Sequence, residues 1–154
     1  MYKRLILAIL LLLGVSPLWG QPDAEQTGQG YSDDSAWARG QSWGLYGYTM
    51  MYRETLDPVF LEQARIIGRF LIDHPNLPAD KIPYWDYNAP DIPDARRDAS
   101  AAAIMASALI ELSQLDPGEM APRWLEVAVA QLSLFAKYGG KLPPFCYICE
   151  KLEV

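Results

Sequence analysis

Five prolines, at positions 75, 78, 83, 90 and 93, interrupt the middle of this 154-residue chain and divide it into two helix-forming halves. Proline lacks a backbone donor and clashes with the preceding turn, so a regular helix is ruled out over residues 75–97 and a long loop is expected there. Trp85 and Tyr87 lie inside the stretch and argue for order, because disordered linkers are poor in aromatic residues. On either side of it, apolar residues return at helical spacing.

Four helices are expected. The first covers residues 35–55, capped by Asp33, Asp34 or Ser35, with Trp37, Leu45, Tyr48, Met51 and Tyr52 giving it apolar surface on more than one side. Gly40, Gly44 and Gly47 lower its helix propensity but permit another helix to come close, which suits an inner position. Asp57-Pro58 supplies a cap and a first-turn proline for a second helix reaching residue 73. Val59, Phe60, Ala64, Ile67 and Leu71 make that helix amphipathic and outer. His74, the single histidine, is expected to serve as a cation at the end of the second helix rather than as a catalyst.

Asp98 or Ser100 caps a third helix, over residues 101–115, whose small side chains again fit an inner place. After Asp116-Pro117-Gly118-Glu119 a fourth helix over residues 122–138 carries Trp124, Val127, Ala128, Leu132 and Phe135, and Gly139-Gly140 ends it. The order inner, outer, loop, inner, outer makes two helical hairpins. By itself this predicts an all-α helical repeat or helical toroid.

The ends of the chain read differently. Met1-Tyr2-Lys3-Arg4 and the apolar run 5–15 have the form of a secretory signal peptide spanning residues 1–20, followed by a polar spacer at 21–28. The run is shorter than the ~20 residues a membrane span needs, so no stable anchor is expected after cleavage and the location is periplasmic or secreted. Cleavage removes Lys3 and Arg4 and takes the formal charge from −6 to −8. An acidic chain is a poor partner for nucleic acid, so any affinity for anions must come from a local pocket. Cys146 and Cys149 lie in a divergent tail, residues 139–154. One Cys-x-x-Cys without a nearby histidine falls short of four zinc ligands, so a local disulfide or two idle thiols are expected.

The chemistry concentrates in residues 29–46, where a polar turn runs into a helix bearing an arginine, glycines and aromatics. Trp43 follows Arg39 by four residues and Tyr46 follows Trp43 by three, so the three share a helical face. A guanidinium beside an indole suits an anionic ring: the arginine pairs with a carboxylate while the indole lies against the ring. Asp33, Asp34 and Asp98 are alternative partners for Arg39, and ordinary core packing is the alternative for Trp43. Asp86, Asp94 and Asp98 are explained as caps and turn formers.

Gln29-Gly30-Tyr31-Ser32-Asp33-Asp34-Ser35-Ala36-Trp37-Ala38-Arg39-Gly40-Gln41-Ser42-Trp43 is followed by Pro83-Tyr84-Trp85-Asp86 and by Arg97-Asp98-Ala99-Ser100-Ala101-Ala102-Ala103. In that order and spacing, these runs resemble glycoside hydrolase family 88, the unsaturated glucuronyl hydrolases. The resemblance covers residues 29–138 and implies part of an (α/α)6 barrel, with four helices forming about a third of the ring. Inner-helix flanks then lack neighbours, which opens a route to self-association.

The resemblance also implies an activity: hydration of the 4,5-double bond of an unsaturated uronic acid at the non-reducing end of lyase-derived oligosaccharides. An aspartic acid protonates the vinyl ether carbon, water adds to its neighbour, and the hemiketal collapses to release the sugar. Neither cofactor nor metal is implied. Gln29, Arg39 and Trp43 fall on substrate-lining positions of the family. Its catalytic aspartates lie in a half that no stretch here matches, and Gly28 stands where many relatives carry a histidine. No catalytic residue is therefore assigned, and a chain of this extent is expected to lack turnover. The related family 105, the unsaturated rhamnogalacturonyl hydrolases, and a non-catalytic helical interaction module are the alternatives.

Overall fold

A computed structural model describes residues 29–137; the expected signal peptide, the expected spacer and tail, and both cysteines lie outside them. Four helices form among the described residues: α1 Ala38–Thr55, α2 Pro58–Asp73, α3 Ala99–Leu115 and α4 Ala121–Lys137. The central pair is α1 and α3; α2 backs α1 and α4 backs α3. This is the predicted pair of hairpins.

The ends of the helices show where local chemistry governs and where it does not. Asp57 caps α2 by accepting the Val59 N–H at 3.1 Å, with Pro58 in the first turn. Asp98 caps α3 by accepting the Ala101 N–H at 2.8 Å, and the helix starts at Ala99, two residues before its expected first residue. At α1 the expectation fails. The helix begins three residues late, at Ala38 after Trp37, with no side-chain cap. Ser35 is spent elsewhere, on Ser32 and Asp86.

One apolar core joins all four helices, with Leu45, Leu71, Met105, Leu109, Leu112 and Trp124 fully buried. Removing that much apolar surface from water is the main force holding the hairpins together. The close approach that glycine permits occurs between α2 and α4: a Cβ on Gly68 would stand 3.1 Å from the Trp124 ring. The α1 glycines behave differently from expectation. Gly44 faces Ile67 of α2 at an ordinary 3.7 Å, Gly47 faces open space, and Gly40 lies under the ring of Trp37 of its own chain segment. Val59 and Leu132, read as core-facing, are exposed, as are Ile66 and Phe70 on α2 and Leu125 and Val129 on α4.

Ion pairs tie the helices at their ends. Arg53 of α1 meets Glu111 of α3 at 2.7 Å. Arg65 of α2 grips Asp116, just past α3, through Nε at 2.8 Å and Nη2 at 2.6 Å. That fork holds the Asp116 carboxyl below the usual carboxylate range.

The proline-rich segment is an ordered loop. It doubles back through a Tyr84–Arg97 bridge, and its middle pairs with the entry to α1 through a Trp37–Asp86 bridge. Ala38 N–H donates to Trp85 O at 3.1 Å and Tyr87 N–H to Ala36 O at 3.0 Å. His74 belongs to this junction and not to the helix dipole. Its Nδ1 accepts the Asn76 N–H at 3.1 Å, its ring packs on Phe70 and Tyr87, and burial lowers its pKa, so the expected cation is a neutral imidazole.

Candidate functional site

The site is built where the loop, the polar turn and the first turn of α1 meet. Arg39 stands on that first turn, partly open to solvent. Its Nε and Nη2 both donate to Asp98 Oδ2, at 3.1 and 2.8 Å, across to the cap of α3. Asp98 is fully buried, and its other oxygen takes the Ala101 N–H. A buried carboxylate needs such a partner. Of the three aspartates weighed for Arg39, the structure selects Asp98.

The arginine also has an aromatic neighbour, with its guanidinium carbon 6.0 Å from the centroid of the Trp37 ring. Trp37 lies so close over Gly40 that a Cβ there would approach Cε3 to 2.7 Å. The glycine in the Trp-Ala-Arg-Gly run therefore makes room for an indole that flanks the arginine. Two of the five guanidinium donors are directed at Asp98, and Nη1 lies outside that pair.

Trp43 is 54% exposed, which removes the core-packing alternative. Its ring stands edge-on to Tyr46, centroids 5.9 Å apart, one helical turn beyond Arg39. Large exposed indoles are informative because burial is their usual fate. Gln29 is also exposed, at the start of the polar turn. Arg39 and Trp43 thus stand on the first two turns of α1, and Gln29 opens the polar turn that leads into it. The residue contacts join Arg39 to Asp98 and Trp37, and Trp43 to Tyr46.

Sequence reasoning passed over the groups that fasten the polar turn. Asp86 is fully buried and accepts from Tyr31 N–H at 2.9 Å, Ser35 Oγ at 2.7 Å and Asn88 N–H at 2.8 Å. Asn88 Oδ1 in turn accepts the Ala36 N–H at 3.0 Å. The signals for this in the sequence are the Asp-x-Asn spacing, which reads as a local turn, and the place of Asp86 in the Pro-Tyr-Trp-Asp run. Asp94 does lie in such a turn, with its N–H bonded to Asp91 O at 2.7 Å.

An open groove of about 350 Å³ lies beside this junction, lined by Asp34, Ser35, Ala36, Gln41, Ile66, Ile67 and Phe70. None of Gln29, Arg39 or Trp43 lines it. Among the described residues no cluster of three His, Cys, Asp or Glu is placed to hold a metal ion, and no helix is long and apolar enough to cross a membrane.

No family model matches the chain. Comparison with individual proteins is more informative. The chain is 49% identical over 105 residues to an unsaturated glucuronyl hydrolase of Formosa agariphila, a match covering 68% of this chain and 26% of that protein. Its fold superposes on the crystal structure of an unsaturated glucuronyl hydrolase specific for heparin with a TM-score of 0.69 and 44% identity, covering 76% of this chain and 31% of the other. A variant unsaturated glucuronyl hydrolase from Streptococcus agalactiae, complexed with dGlcA-GalNAc6S, gives a TM-score of 0.63 at 31% identity, over 77% of this chain and 31% of that one. The four helices thus correspond to part of an (α/α)6 barrel. The chain spans 26% of the curated relative's length.

Proposed function

From the premise that this chain belongs to the unsaturated glucuronyl hydrolases, glycoside hydrolase family 88, we propose that its described residues form the sugar-acid-binding part of such an enzyme. The ligand is the unsaturated uronic acid at the non-reducing end of an oligosaccharide. The observation that carries this is Trp43, a half-exposed indole on an otherwise core-forming helix, one turn from an arginine that is paired with Asp98 and neighboured by Trp37. A 4,5-double bond flattens the uronate ring, which fits the flat face of an indole. Arg39 then answers the carboxylate with the edge not committed to Asp98, and Gln29 hydrogen-bonds the sugar hydroxyls. The basic and apolar opening of the sequence supports export.

Because the chain spans about a quarter of the relatives it matches, binding is the property to measure. Titrating the purified chain with the disaccharide dGlcA-GalNAc6S by calorimetry or saturation-transfer NMR is expected to give saturable binding. Arg39→Ala and Trp43→Ala should each lower the affinity at least about tenfold, the loss of one charge-assisted or stacking contact. Equal affinity of wild type and both variants would refute the site.

The exposed apolar residues of α2 and α4 favour a second reading, an interaction module joined through these outer faces. It predicts a concentration-dependent dimer or larger species in sedimentation. A monomer at all concentrations would count against it.

A further inference from the structure

We infer that Asp86 is a positioning residue for the sugar-facing turn: it fixes residues 29–35, and Gln29 with them, against the head of α1 without itself touching the sugar acid. This rests on the functional reading above and extends it to a residue outside the binding face. The carboxylate divides its work between its two oxygens. Oδ1 takes the Asn88 N–H two residues ahead, the bond of an ordinary local turn. Oδ2 takes Tyr31 N–H and Ser35 Oγ, 55 and 51 residues earlier in the chain. The first half shapes the loop; the second reaches the turn that carries Gln29.

The geometry requires two acceptors. Tyr31 and Asn88 present backbone N–H groups, which only donate, to different oxygens of the same side chain. An asparagine here offers one acceptor and one donor, so one of those amides must face an NH2 group. Ser35 can turn its hydroxyl to adapt, but a backbone amide cannot. The fit is close on the chain side too: a Cβ on Gly30 would lie 3.2 Å from Ser35 Oγ and 3.5 Å from Asp86 Oδ2. A fully buried carboxylate is expensive in a fold unless donors surround it, and here two of its three donors belong to the turn.

The test uses the full chain and the variants Asp86→Ala, Ser35→Ala and Gln29→Ala, with dGlcA-GalNAc6S as probe. In Asp86→Ala, which removes both acceptors, the Tyr31 amide should lose its hydrogen-bonded chemical shift and exchange with solvent at least about tenfold faster. Affinity for the disaccharide should fall about tenfold, and the same substitution made on Gln29→Ala should bring no further loss, because Asp86 acts through that residue. Should Asp86→Ala fail to fold, Ser35→Ala removes one Oδ2 bond and is expected to show a smaller loss of the same non-additive kind.

An unchanged Tyr31 amide, or losses that multiply with Gln29→Ala, would overturn the inference and leave the functional reading standing. A folded wild-type chain that binds no disaccharide would overturn both.

Discussion

Helices α1 and α3 hold equivalent places, the inner member of each hairpin, yet they are made of different material. α3 is a scaffold. Ala99, Ala101, Ala102, Met105, Ala106, Ala108, Leu109 and Leu112 are all buried along it, so it is covered on more than one side. α1 buries Ala38, Ser42, Leu45, Thr49 and Met51 and leaves Arg39 partly open and Trp43 largely so. Its buried hydroxyls bond back to the helix itself, Ser42 Oγ to Ala38 O at 2.9 Å and Thr49 Oγ1 to Leu45 O at 2.8 Å. They need nothing from α3. Position in the hairpin sets how much of a helix is covered, and side-chain content decides whether it only supports or also presents a site.

The largest effect should come from truncating the scaffold. Leu109→Ala leaves a cavity in a fully buried place and is expected to destabilise the chain by about 3 kcal/mol in urea denaturation. Trp43→Ala should lower stability by less than about 0.5 kcal/mol despite the larger side chain removed. Similar losses at the two positions would erase the distinction between the helices.

The bond between the helices comes next. Arg39→Ala strands the buried Asp98 carboxylate and is expected to destabilise by about 2 kcal/mol, below the full range for a buried pair because the arginine keeps some contact with water. A double-mutant cycle with Asp98→Ala should give a coupling above about 1 kcal/mol. Additive losses would mean that the Arg39–Asp98 pair adds nothing to the other contacts that join α1 and α3.

Within α1, the glycines should respond in opposite directions. Gly47→Ala adds a methyl group in open space and should raise stability by up to about 1 kcal/mol, the usual helix preference for alanine. Gly40→Ala pushes the Trp37 ring away from the arginine and should lower it by about 1 kcal/mol. Thermal melts of the pair measure this directly.

The smallest effect is in pH. His74 takes up its proton less readily in the folded chain than in the unfolded one, so its contribution is intact above the ordinary histidine value, about 6.5, and is lost as pH falls below it. Asp116, held acidic by Arg65, acts in a lower window: its contribution persists above the ordinary carboxylate value and is lost as pH falls through its lowered value. Denaturation midpoints measured from pH 8 downward should therefore decline in two stages, and His74→Gln should remove the first. A single acid stage in wild type would show that the imidazole is indifferent to its burial.

Much of the fold was legible because it rests on local rules. Asp57-Pro58 and Asp98 mark helix starts through bonds to the next few residues, and five prolines bar a helix wherever they stand. The predicted cap of α1 failed for the opposite reason. Ser35 had a second use, a carboxylate 51 residues away, and no short window of sequence contains both. His74 was misread in the same way. A helix-end histidine looks like a cation until Phe70 and Tyr87 are seen packed around it.

The sequence alone determined four helices in two hairpins, an ordered proline-rich loop between them, and the arginine and indole one turn apart on the first helix. These follow from periodicity, caps and breakers, which act over a few residues. Only the tertiary structure decided that Asp98 holds Arg39 and that Asp86 fastens the turn bearing Gln29. Those choices depend on which buried donor lies nearest which buried acceptor, and that distance is set when the hairpins and the loop close on one another.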